Sequence, residues 1–104
     1  MIRIARSIRG VPIRPTDERW AHIVDEHCEL AGLRDEVVEA VAEPERVLAG
    51  HEGELLAVRV VDDRRRLVVV YREVSKDDGF VITAFLTTRS ASLARRVQVW
   101  PPKT

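Results

Sequence analysis

The chain has 104 residues, 45% hydrophobic and 33% charged, with 17 basic and 17 acidic side chains that cancel. That is one domain's worth of sequence, too apolar for a disordered segment and without an apolar run of the roughly 18 residues that a membrane span needs. Its one cysteine, Cys28, forbids an internal disulfide, and arginines interrupt the N-terminus where an export signal needs an apolar core, so the expected setting is the cytoplasm.

Residues 1–15 form an N-terminal arm or edge strand. Pro15-Thr16-Asp17-Glu18 then reads as a helix start, with Thr16 as N-cap and two acids matching the helix dipole. Trp20, Ile23, Val24, His27, Leu30 and Ala31 recur at three- and four-residue steps, which predicts an apolar stripe. Gly32 interrupts it, a second helical stretch follows through Val37, Val38 and Val41, and Pro44 stops the helical region at 16–43. Beyond Pro44 the period changes to two. Strands are expected at Val47–Ala49, Leu55–Val61, Arg66–Val74 and Phe80–Thr88, within a sheet region 46–88. Ser90 is placed to cap a short helix, Ala91–Val97, in a C-terminal segment 90–104. Short turns between strands predict an antiparallel meander, and helices grouped ahead of it predict an α+β fold. The expectation is therefore one or two N-terminal helices packed on about four antiparallel strands.

Charge is unevenly placed. Residues 1–16 carry four arginines and no acid, residues 17–54 a net −9, and residues 55–104 a net +5. Such separation suits a basic surface that meets a polyanion while an acidic one faces water. Solvated acids on exposed helix faces give the same pattern. If the aliphatic strand faces align, Arg59, Tyr71, Thr83 and Thr87 share the opposite face, beside His27 from the apolar stripe. A guanidinium, a phenol, a hydroxyl and an imidazole in one cleft could hold a phosphodiester and move its proton. Arg72 is the competing phosphate contact if the strand faces the other way, and Arg89 follows the last strand. His22 and His27 stand about 140° apart around a helix, so they cannot clasp one ion, and no other metal or cofactor signature is visible.

The segments Glu18-Arg19-Trp20-Ala21-His22-Ile23, His27 with Glu29-Leu30, Pro44, Val68-Val69-Val70-Tyr71-Arg72 and Phe80-Val81-Ile82-Thr83-Ala84-Phe85 together resemble the barnase–EndoU–colicin–RelE-like (BECR) nuclease superfamily of small bacterial and phage proteins. The likeness covers about Thr16 to Thr88, with Cys28 standing where a proline is expected. It implies a metal-independent ribonuclease, of the kind held by an antitoxin or inhibitor protein, that cleaves through the RNA 2′-hydroxyl. It also implicates His22 or His27 and Thr83. The alternative is a non-catalytic module of the same fold that binds protein or RNA.

Overall fold

The computed structural model describes residues 4–102, apart from the side chain of Ser90, so that residue's expected capping role lies outside what is described. In chain order the elements are β1 (Ala5–Arg6), β2 (Pro12–Arg14), α1 (Asp17–Glu26), a 3-10 turn (Cys28–Leu30), α2 (Arg34–Ala42), β3 (Arg46–Ala49), β4 (Leu55–Val60), β5 (Arg66–Ser75), β6 (Asp78–Thr87), α3 (Ser90–Ala94) and β7 (Gln98–Trp100). The strands form one curled, mixed sheet ordered β1-β2-β6-β5-β4-β3-β7.

This corrects the expected four-strand meander with helices ahead of it. The N-terminal arm supplies two strands before any helix, and β2 runs parallel to β6 through Ile13 and Arg14 opposite Gly79 and Phe80. At the other edge the chain returns after α3 as β7, antiparallel to β3. Neither strand has the length or alternation that marks a strand in sequence. β2 is Pro-Ile-Arg and β7 is Gln-Val-Trp. Their pairing comes from the tertiary fold, which overrides weak local preference.

Local chemistry explains the helices. Thr16 Oγ1 accepts a hydrogen bond from the Arg19 amide at 3.2 Å, and Asp17 and Glu18 occupy the first turn of α1. The apolar stripe does not stay on one helix. α1 ends at His27, whose backbone leaves the helical region (φ −129°), and Leu30 reaches the core from the 3-10 turn. Gly32, at φ +83°, then redirects the chain into α2, a conformation few other residues adopt without strain.

Both faces of the sheet carry apolar packing. On the helix side, Ile23, Leu30, Val37 and Val41 pack with Leu55, Ala57, Leu67, Val69, Tyr71, Val81 and Ala84. On the far side, Leu48, Leu56, Val58 and Val68 are covered in part by Leu93 of α3, with Val70 and Phe85 beside them. The strands therefore read as near-continuous apolar runs, so they offer no single aliphatic face to align.

One irregularity decides which side chains meet. Between β5 and β6, Val70 lies opposite Thr83 but Tyr71 lies opposite Val81, leaving Ile82 as an extra residue. A bulge of one residue reverses the facing of everything beyond it. Upstream, Val81 faces the helices. Downstream, Ala84 and Leu86 take that side, and Thr83, Phe85 and Thr87 turn to the far face.

Candidate functional site

The expected cleft of His27, Arg59, Tyr71 and Thr83 is not assembled. Arg59 and Tyr71 lie on the helix side of the sheet, whereas Thr83 and Thr87 lie on the far side, because of the bulge at Ile82. Arg59 is held by the acidic helix layer. Its Nη1 donates to the Glu43 carbonyl at 2.6 Å, and its Nη2 stands 3.8 Å from a Glu39 carboxylate oxygen. Tyr71 is fully buried in the helix-side core, and its hydroxyl has no hydrogen-bond partner among the described residues. Burial, reinforced by the charge of Glu73, pushes the phenol above its ordinary pKa. A sealed phenol of this kind serves packing, out of reach of any substrate.

The two helix histidines differ in place. His22 is exposed and its Nε2 pairs with Glu26 Oε1 at 3.0 Å, one turn along α1. His27 caps the end of α1 and is about one-third exposed, with Nδ1 3.5 Å from Glu29 Oε2. β2 accompanies β6 only as far as Phe80. Beyond that point α1 and the 3-10 turn pack along the β6 edge. There His27 reaches round to the far face, its ring centroid 6.3 Å from that of Phe85 and tilted by 37°. The aliphatic stripe expected around His27 is replaced by an aromatic neighbour and an open rim.

The far face thus collects a different set. Thr83 and Phe85 stand on β6, with Thr87 further along opposite Arg66. Arg72, on β5 opposite Phe80, donates through Nη2 to the Glu52 carbonyl at 3.1 Å. Arg89, at the end of β6, is exposed, and its amide donates to Thr87 Oγ1 at 3.0 Å. Beside Phe85 lies a groove of about 360 Å³, with Leu56, Val70 and Phe85 among its apolar lining and His51, Glu52, Glu54 and Arg96 among its polar lining. Glu54 is held ionised, its carboxyl kept below the usual range chiefly by the Glu52 amide and to a lesser degree by Arg72 and His51.

The cations differ in their partners, and the far face holds paired ones as well: Arg66 Nε stands 3.9 Å from a Glu45 carboxylate oxygen. Arg9, Arg14, Arg34 and Arg59 each have a carboxylate partner within 4 Å. Among the described residues, Arg46, Arg72 and Arg96 have no such ion pair, and Nε of Arg46 is buried without a hydrogen-bond partner. Arg46 belongs to the same cross-strand row as Val58, Val68 and Phe85. Phe85, Arg46 and Arg96 were not singled out by sequence reading. The available signal was the alternation of Phe85 with Thr83, which puts both on whichever face Thr83 takes. No group of three or more potential metal ligands occurs among the described residues.

Protein-family models, curated proteins and solved structures were all compared with this chain, and none matches it.

Proposed function

We propose that the far face of the sheet binds single-stranded RNA and that His27 moves a proton in its cleavage, a ribonuclease reading of the BECR type. The observation that carries it is the bulge at Ile82, which puts Thr83, Phe85 and Thr87 on the face of Arg72 and brings Phe85 against His27. An aromatic ring offers a stacking surface to any base, and unpaired arginines offer charge to phosphates. Most acids of the −9 segment belong to α1 and α2 on the helix side, where they repel a polyanion, while Glu52 and Glu54 border the groove beside Phe85.

In this reading Arg72 exchanges the Glu52 carbonyl for a non-bridging phosphate oxygen, and the Thr83 hydroxyl orients the group. The His27 imidazole accepts the 2′-hydroxyl proton as the 2′-oxygen bonds to phosphorus. The bond from phosphorus to the 5′-oxygen breaks, and solvent supplies the proton that the leaving oxygen takes. A cyclic phosphate and a free 5′-hydroxyl result. No step calls on a cofactor.

The test is cleavage of a single-stranded RNA in EDTA by the wild type and His27→Ala. Loss of a general base lowers rates by about 10²- to 10⁴-fold. A substrate with a 2′-deoxy sugar at the reacting position should resist both proteins. RNA that binds but is never cut assigns the chain to the non-catalytic module, and activity unchanged in His27→Ala removes the histidine from the reaction.

A further inference from the structure

Thr87 continues the far face past Phe85 toward the β4–β5 turn, where Arg64, Arg65 and Arg66 stand in sequence. The turn is rigidly built. The Asp62 carboxylate accepts from the Arg64 and Arg65 amides at 2.9 and 2.8 Å and from Arg65 Nε at 2.9 Å. These bonds, the Arg64 amide first, hold Asp62 ionised, so it occupies Arg65. Arg66 Nη1 donates to the Asp62 carbonyl at 3.1 Å and its Nε stands 3.9 Å from a Glu45 carboxylate oxygen, contacts that hold its stem beside Thr87 and of which a phosphate would displace the second.

Arg64 is left over. Its guanidinium has no hydrogen bond or ion pair among the described residues. It borders two depressions, of about 400 and 370 Å³, and Thr88 and Asp63 border both as well. Arg66 lines the second one, which joins it to the far-face row of Val60, Arg66 and Thr87. From Thr83 to Thr87 is four residues, or about 13 Å along the strand. That is the length of about four stacked nucleotides, and of fewer when the strand is drawn out.

We infer that Arg64, with Arg66 and the Thr88 hydroxyl, forms a second phosphate subsite for the RNA strand that lies over Phe85. The substrate is then a single strand extending several nucleotides from the reacting phosphodiester, and a dinucleotide fills only part of the site. This rests on the RNA reading above and adds the length of chain engaged. Arg64 is suited to the task because Asp62 is already committed to Arg65 and Asp63, the turn's other carboxylate, forms no ion pair with Arg64 among the described residues. Thr88 adds a donor from the neighbouring strand end, so the subsite is shared by the β4–β5 turn and the segment after β6.

Binding of 2′-O-methyl RNA, which lacks the attacking hydroxyl, tests it. The probes are an octanucleotide and a dinucleotide, titrated at low salt against the wild type and Arg64→Ala. The wild type should bind the octamer at least tenfold more tightly than the dinucleotide. Arg64→Ala should weaken the octamer about three- to tenfold, flatten its log–log salt slope by about 0.7, and leave the dinucleotide unchanged. Equal wild-type affinity for both lengths, or an Arg64→Ala protein that matches the wild type on the octamer, overturns the subsite while leaving RNA binding intact. An equal loss on both lengths also overturns it, because Arg64 would then act at the reacting phosphate. Neither RNA binding at all refutes the RNA reading itself, and the subsite with it.

Discussion

Tyr71→Phe should leave the protein as stable as the wild type or more so. Tyr71 is fully buried and its hydroxyl is without a partner, so folding strips the hydroxyl of water with no return. An unsatisfied buried polar group costs about 1–3 kcal/mol, and the ring keeps its packing when the oxygen is removed. A gain of about 1 kcal/mol would raise the melting temperature by roughly 4 °C in a domain of this size. Because Tyr71 is the chain's one tyrosine, its ionisation is read directly by phenolate absorbance. The folded phenol titrates above its unfolded value, so its ionisation leaves stability untouched below about pH 10 and favours the unfolded chain as the pH rises further. Absorbance should therefore appear together with unfolding, and Tyr71→Phe should remove that alkaline loss. Thermal and urea denaturation at pH 7 and pH 10.5 supply the numbers. A destabilisation of 1 kcal/mol or more at pH 7, or phenolate formed in the folded protein near pH 10, would refute a sealed, unpartnered hydroxyl.

Gly79→Ala should cost about 1–3 kcal/mol in urea denaturation, because a Cβ there would overlap Ile13 Cδ1 and stand 2.7 Å from the Arg72 carbonyl oxygen. Thr16→Ala removes the side-chain acceptor at the start of α1 and should cost about 1 kcal/mol by the same assay. Arg72→Ala should flatten the salt slope of single-stranded RNA binding by about 0.7, whereas Arg59→Ala, on the opposite side of the sheet, should leave the slope unchanged.

Local signals located the central elements. Thr16 with Asp17 and Glu18 marks the start of α1, Pro44 marks the change of period, and the turns at Asp62–Arg65 and Ser75–Asp78 separate β4, β5 and β6. What local sequence could not carry was the fate of the flanks. Pro12–Arg14 and Gln98–Trp100 become strands only because β6 and β3 present edges to them. The candidate site failed for a related reason. Strict alternation carries Tyr71 and Thr83 to one face, and the extra residue at Ile82 is invisible to a period of two. Arg59 looked free because its partners, Glu39 and Glu43, come from α2 and the residue after it. His27 was placed at a helix position facing the sheet, but the helix stops there, and the ring meets Phe85 at the β6 edge. Arg72 shares the far face with Val68 and Val70 by plain alternation along β5, and the bulge on β6 is what brings Thr83, Phe85 and Thr87 to that face.

The location of the RNA interface is the central claim, and amide chemical-shift mapping tests it residue by residue. Titration of the labelled protein with an uncleavable single-stranded RNA should move the resonances of Arg72, Thr83, Phe85, Thr87 and His27. Residues of α2 such as Glu36 and Glu39, on the acidic side, should stay in place. Shifts concentrated on α1 and α2, or no shifts at low salt, would contradict the account.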